Sequence, residues 1–400
     1  MSVATPAPAS VRPHYAGFEG LRTIGMTAVF FAHLGFITGV TLGRDWAAPL
    51  GHLEFSVAIF FIVSAFLLYR PFALAHLRGA PVPDLGLFVW RRMFRIFPAY
   101  WATLAVMLVF LGVDSGGAGH LARLFTLTHV YTEWGFTAID VLVPTWTLAA
   151  ELIFYFFMIA AAVALRRFAA RATTAAERLA AELWLAAGAF GFAMAWRAFV
   201  YFADVVPHVA EHWFPGTLDV FATGMALAAV SAFRELSGEA HPVVDRVEQI
   251  ARRGSWSAVG AFACFMAVPV FLDVDRFIEL EPDWQVFVRN LLLLASAALL
   301  VVPIVLGGND RGWYRRFLEV KPIAYLGLTS YGLYLWHDFW LKKATFEWIE
   351  IHNLETKFAI IGVIAFSFAA LCGTLSFRLV EQPAQQLGTR LRARLFRQSL

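Results

Sequence analysis

The chain has 400 residues, 60% of them hydrophobic and 16% aromatic, with 14 Trp and only 15% charged residues. A mean hydropathy of +0.65 is more than a soluble core requires and excludes an ordinary water-soluble domain, so the sequence reads as an integral membrane protein. The formal net charge of +3 carries little information, because what matters is where Lys and Arg fall relative to the apolar stretches.

Residues 1–21 are polar and Pro-rich, with no apolar h-region or small-residue cleavage site, so no cleaved leader is expected and the first span should be retained. Apolar stretches of ~17 to 25 residues then occur about ten times, near 23–42, 53–74, 98–113, 143–165, 179–203, 214–233, 255–272, 286–306, 323–343 and 357–378. The predicted fold class is all-α and polytopic. Basic residues recur after every second crossing: Arg12 and Arg22 precede the first span, Arg91, Arg92 and Arg95 follow the second, and Arg166 and Arg167 follow the fourth. The pattern continues through Arg252, Arg253, Arg315 and Arg316 to a tail with Arg390, Arg392, Arg394 and Arg397. By the positive-inside rule these segments and both termini are cytoplasmic. The opposite side carries acids such as Asp273, Asp275, Glu279, Glu281 and Asp283. The third span is short, and Lys342 and Lys343 run against the trend, where their stems can snorkel toward water.

No internal repeat or linker interrupts this pattern, which predicts a disordered cytoplasmic stretch over 1–17, one membrane domain over 18–383 and a basic cytoplasmic tail over 384–400. Cys264 and Cys372 both fall inside apolar runs and read as packing residues, and no metal site is expected. Gly and Pro are scattered rather than paired in corresponding halves, which weighs against a transporter built from repeats.

Four constellations carry chemistry. His33 lies near the middle of the first span, with Arg22 at that span's polar start. Eleven residues make about three helical turns, so the two side chains share a face roughly 16 Å apart. An imidazole in hydrocarbon is costly; it either bonds a neighbouring helix or serves as a general base. The second constellation is the basic amphipathic stretch Trp90–Trp101, in which Arg92 and Arg95 can point the same way. Their guanidinium forks suit either anionic lipid or the diphosphate of a nucleotide-bearing cofactor. Third, Glu151 lies about two turns into the fourth span, with Tyr155 one turn further on the same face. A carboxyl at that depth must face the bundle interior, as a tether to an Arg or Tyr or as a group tuning a base. Fourth, Ser330, Tyr331, Tyr334 and His337 form a polar stripe in the ninth span and suggest a cavity toward the outer leaflet. Asp219 in the sixth span adds a buried acid on the same side.

In this order the segments resemble the membrane acyltransferase-3 family, whose members move acetyl or other short acyl groups onto carbohydrates and some other acceptors. Arg22 and His33 match its Arg-ten residues-His pattern, Arg92 and Arg95 its Arg-x-x-Arg, and Trp146–Tyr155 its Trp-Ser/Thr-Leu-x-x-Glu-x-x-Phe-Tyr segment. Ser330–His337 and Arg378–Pro383 match two further signatures, so the resemblance runs from about Phe18 to Pro383. Two positions depart from the pattern: Glu19 stands where Asp is usual, and Ala65, within Phe60–Phe66, stands where Gly is general. The added methyl is expected to fall at a helix contact.

The resemblance implies a stand-alone O-acyltransferase of the inner (plasma) membrane, without the hydrolase-like domain that some relatives append. Acyl-CoA, first of all acetyl-CoA, would dock from the cytoplasm as co-substrate with Arg22, Arg92 and Arg95 on its anionic end, and its slim pantetheine arm would enter the low-dielectric interior. His33 would act as general base or acyl carrier, with Glu151 beside it. Asp219, Ser330, Tyr331, Tyr334 and His337 would line the side of a carbohydrate or glycolipid acceptor. Two other classes compete: a proton-coupled transporter or flippase using His33, Glu151, Asp219 and His337 as a relay, and an inactive relative acting as a structural partner.

Overall fold

The computed structural model describes residues 17–111, 117–131, 143–203, 205–272, 283–307 and 312–395. The stretch read as a disordered N-terminus, apart from Gly17, lies outside the described residues, as do the acids from Asp273 to Glu281 and the arginines Arg12 and Arg397. The main helices are α1 (Phe18–Thr38), α2 (Val57–Arg78), α3 (Leu85–Phe110), α4 (Trp146–Ala169), α5 (Ala175–Phe202) and α6 (Phe214–Ser237). They continue as α7 (Gly254–Phe271), α8 (Asp283–Leu306), α9 (Lys321–Leu328), α10 (Ser330–Lys343), α11 (Leu354–Ser376) and α12 (Gln382–Leu395). Among the described residues there is no strand, and nine helices, all but α9, α10 and α12, are long and apolar enough to cross a membrane. The remaining apolar stretch is divided. Thr329, at φ −93° and ψ 4°, interrupts the ninth predicted span between α9 and α10.

Local chemistry sets the helix ends. The Asp84 side chain accepts from the backbone N–H of Leu87 at the start of α3, and Thr174 and Glu177 form a reciprocal capping box on α5. Gly79 ends α2 at φ 64°, a conformation that a Cβ would strain. The third predicted span proves longer than the apolar count suggests, because α3 begins at Leu85 and runs through Pro98. Arg91, Arg92 and Arg95 therefore ride on the same rod that enters the membrane. The segment read as a basic tail is also ordered to Leu395: Trp90 Nε1 donates to the Gly388 carbonyl at 2.8 Å, docking α12 on α3. Lys342 is paired with Asp338 at 2.9 Å and Lys343 with Glu347, so neighbouring acids neutralise the two lysines that opposed the charge trend.

Among the described residues packing forms two large apolar cores and a small third one around Phe265, Val268, Leu272 and Leu293. One large core gathers Ile62, Phe66, Phe154, Phe221 and Val301 from α2, α4, α6 and α8; the other gathers Phe30, Tyr100, Leu333, Leu335 and Ile361 from α1, α3, α10 and α11. Val57, Trp146 and Tyr331 pack against both, and they mark the seam in which the candidate site lies. Small residues let the backbones approach. A Cβ on Gly224 of α6 would come within 2.5 Å of the Ile62 carbonyl and 2.6 Å of the Ala65 Cβ, so the extra methyl of Ala65 is accommodated against a glycine. A Cβ on Gly327 would meet the Glu19 carbonyl at 1.7 Å, which places α9 directly on the first turn of α1. Cys264 and Cys372 are free and half-buried.

One buried polar group was not singled out from sequence. Glu182 on α5 is 2% exposed and accepts from the Tyr69 hydroxyl at 2.5 Å and from His76 Nδ1 at 2.6 Å, while His76 Nε2 donates to the Ala162 carbonyl at 3.0 Å. The cluster ties α2, α4 and α5 together.

Candidate active site

A cavity occupies the seam between the two large cores. Arg22 of α1 and Arg95 of α3 bring positive charge to its wall, and α4 contributes Thr147, Glu151 and Tyr155. Ser64 closes the side formed by α2, and Ser330, Tyr331 and Tyr334 descend from α10. The Tyr331 hydroxyl donates to the Ile96 carbonyl at 2.8 Å, joining α10 to α3. The Tyr334 hydroxyl donates to the Pro144 carbonyl and lies 2.8 Å from Thr147 Oγ1. The interruption at Thr329 allows this, because α10 starts its polar stripe at the cavity wall.

The charges are unbalanced. Glu151 accepts a hydrogen bond from the Ser64 hydroxyl and is felt by Arg22, Arg92 and Tyr155. Arg22 is in turn within electrostatic reach of Arg92, Arg95 and Glu19. Three guanidinium groups thus gather around Glu151 in a low-dielectric setting, an arrangement that favours an anionic occupant. Glu381, 3% exposed in the π-helical turn Phe377–Glu381 that follows α11, adds a carboxyl that acts on Tyr331 and is acted on by Arg95.

Beyond Tyr334 stands a pair of histidines. His33 Nδ1 lies 2.9 Å from His337 Nε2, and the Tyr334 and His337 rings are 5.5 Å apart. A carbonyl can only accept, so the 2.6 Å contact between His337 Nδ1 and the Tyr334 carbonyl makes Nδ1 the protonated nitrogen of His337. In the neutral ring Nε2 is then bare and accepts from His33 Nδ1–H. The consequence is a defined tautomer for His33, whose Nε2 retains its lone pair. His33 itself is half-buried, whereas His337 is fully buried.

Several residues singled out from sequence are brought together. Arg22, Arg95, Glu151, Ser330, Tyr331 and Tyr334 share the cavity wall, whereas His33 and His337 do not line it and pair with each other behind Tyr334. Arg92 instead lines a neighbouring groove, with Arg95 lining both spaces. Asp219 does not reach the cavity wall: it is buried on α6, 3.2 Å from Arg197 of α5, and its other carboxyl oxygen accepts from the Val220 N–H. Glu151 does not orient His33; the charges acting on that ring are those of Asp338 and Lys342. Ser64, Thr147 and Glu381 were not proposed as site residues, although all three lie within segments whose patterns were quoted. Among the described residues no group of three or more His, Cys, Asp or Glu is arranged to hold a metal ion.

The profile described as Acyltransferase domain (Acyl_transf_3) matches residues 15–378. The chain is 25% identical over 390 residues to the peptidoglycan O-acetyltransferase OatA of Listeria monocytogenes, covering 94% of this chain and 57% of that protein. It is 22% identical to the O-acetyltransferase OatA of Staphylococcus aureus, with 94% and 58% covered. It is also 25% identical to nodulation protein 10 of Rhizobium leguminosarum bv. viciae, over 95% of this chain and 96% of that one. The chain thus spans little more than half the length of the two acetyltransferases. No solved structure matches.

Proposed function

The chain belongs to the acyltransferase-3 family, and from that premise we propose that it is a membrane-embedded O-acyltransferase that moves an acyl group, acetyl first of all, from cytoplasmic acyl-CoA to a hydroxyl of an extracytoplasmic carbohydrate or glycolipid. The observation that carries the reading is an arginine-flanked cavity walled in part by Tyr334, with the His337–His33 pair standing next to that tyrosine and His33 Nε2 keeping its lone pair. Coenzyme A is a polyanion on a slim arm. Its phosphates suit the guanidinium groups at the inner end, while the arm and thioester suit the apolar and tyrosine-lined interior. The membrane is the inner (plasma) membrane in this reading, because that is where a cytoplasmic thioester and an outward-facing glycan share one protein.

Each step follows from this chain's own residues. Arg22 and Arg95 hold the donor's anionic end, and Glu151, fixed by Ser64, holds Arg22 toward the cavity. His33 Nε2 removes the proton from the acceptor hydroxyl as its oxygen attacks the thioester carbon. When the tetrahedral intermediate collapses, the carbon–sulfur bond breaks, the ester remains on the acceptor, and the thiolate recovers the proton from His33. His337 donates nothing to substrate; it accepts from His33 Nδ1 and so orients the ring, as the third member of a catalytic triad does. Ser330, Tyr331 and Tyr334 line the acceptor's approach. Asp219 falls outside this scheme as the partner of Arg197.

The test is acyl transfer by the full-length protein in proteoliposomes supplied with radiolabelled acetyl-CoA on one face, together with mass spectrometry of surface glycans from cells with and without the gene. A gain of one acetyl unit that depends on His33 is the expected result. Binding of acetyl-CoA with no acyl transfer to any glycan or glycolipid fraction would overturn the assignment.

A further inference from the structure

A second space lies on the cytoplasmic side, between α3 and α12, with about 800 Å³ of empty volume. Its walls carry Arg91, Arg92 and Arg95 from α3 and Thr389 and Arg392 from α12, and no Asp or Glu lines it. Arg92 and Arg95 also face Glu151 and Glu381 from the cavity side, but the groove's own lining carries guanidinium groups and no carboxylate, a charge that suits a polyanion. Arg92 Nε is buried there with no hydrogen-bond partner. Arg95 lines both this groove and the interior cavity, so that one side chain stands between the two spaces. Thr389 and Arg392 fall after residue 378, where the family match ends.

We infer that α12 completes the donor site, with Thr389 and Arg392 holding the 3′-phosphate of the nucleotide while Arg92 and Arg95 hold the diphosphate. The inference rests on acyl-CoA being the donor. Its geometry follows from the molecule's covalent order: the diphosphate is joined directly to the pantetheine arm, so it belongs beside Arg95 where the arm enters the cavity. The 3′-phosphate is carried by the same ribose as the diphosphate, on the side away from the pantetheine arm, and so falls within reach of the wall that α12 supplies. The docking of α12 through Trp90 and Gly388 holds that wall in place.

The experiment compares coenzyme A with dephospho-coenzyme A, which lacks only the 3′-phosphate, by calorimetric titration of the full-length protein in zwitterionic nanodiscs. The wild type is expected to favour coenzyme A, and Arg392→Ala to weaken it by about tenfold, the loss of one charge-assisted contact, without changing dephospho-coenzyme A affinity. Arg392→Lys should restore part of the difference and controls for folding. Equal effects on both ligands, or none, would overturn the role of α12 while leaving acyl-CoA as donor. A wild type that binds neither ligand would overturn the donor reading and the inference together. If Arg392→Ala instead lowers only the retention of phosphatidylglycerol added to the nanodiscs, the groove is a lipid-headgroup site and the inference fails.

Discussion

His33 and His337 are 304 positions apart in the chain, yet their rings stack with centroids 5.0 Å apart and planes 12° from parallel. Because the Tyr334 carbonyl sets the His337 tautomer, His337 sets that of His33. His33→Ala should abolish acyl transfer. His337→Ala should lower kcat by about 10²-fold or more at nearly unchanged donor KM. His337→Gln, whose side-chain oxygen can accept from His33 Nδ1–H, should recover part of the rate; no recovery would show that accepting that hydrogen bond is not what His337 does.

Gly327 lies against the first turn of α1, where a Cβ would meet the Glu19 backbone. Gly327→Ala places a methyl against the Glu19 backbone, where neither partner can turn aside, and should cost about 1–3 kcal/mol. The displacement would carry Ser330, Tyr331 and Tyr334 with it, so acyl transfer should fall further than thermal stability. Unchanged melting and activity would contradict the packing of α9 on α1.

The Arg197–Asp219 pair has side chains 8% and 5% exposed. Removing one member strands the other, so Asp219→Ala should destabilise by ~3–5 kcal/mol in thermal unfolding. The double replacement Arg197→Met with Asp219→Leu should recover most of that loss. Donor KM should not change in either variant while it is folded; a large rise would bring Asp219 back toward the substrate.

Outside the spans, burial and the nearby His120 push the His129 imidazole down to about 4. An unfolded imidazole titrates near 6.5, so between pH 6.5 and 4 the unfolded chain binds the extra proton. The stabilisation is present in full above pH 6.5 and disappears as the pH falls toward 4, up to about 3 kcal/mol. Melting temperatures across this interval should fall less steeply for His129→Gln than for the wild type.

The spans were legible because a bilayer demands long apolar runs, and these runs became helices, the ninth of them as two. The interruption at Thr329 was not, since a threonine two residues after Gly327 breaks no compositional rule. That Asp219 had to face the bundle interior followed from the cost of a lipid-exposed acid. Which cation met it depended on the packing of α5 against α6, and sequence spacing does not encode that. The same holds for His33: its cost in hydrocarbon marked it out, but its partner lies on a helix 304 positions away. Ser64 and Glu381 lay inside quoted signatures and went unassigned because their roles depend on Glu151 and Arg95 facing them.

The carbonyl that caps His337 Nδ1 has a consequence for energy coupling. A proton accepted at His33 Nε2 has no onward route through the second ring, whose far nitrogen already holds its hydrogen against an oxygen that cannot receive one. The proton must return by the face it came from, to the departing thiolate, so the dyad is a terminus and not a wire. A turnover that sends an acyl group outward and a proton inward carries no net charge across the bilayer. Vesicles should then transfer acyl groups at the same rate with or without a protonophore, whereas a proton-driven carrier would stop.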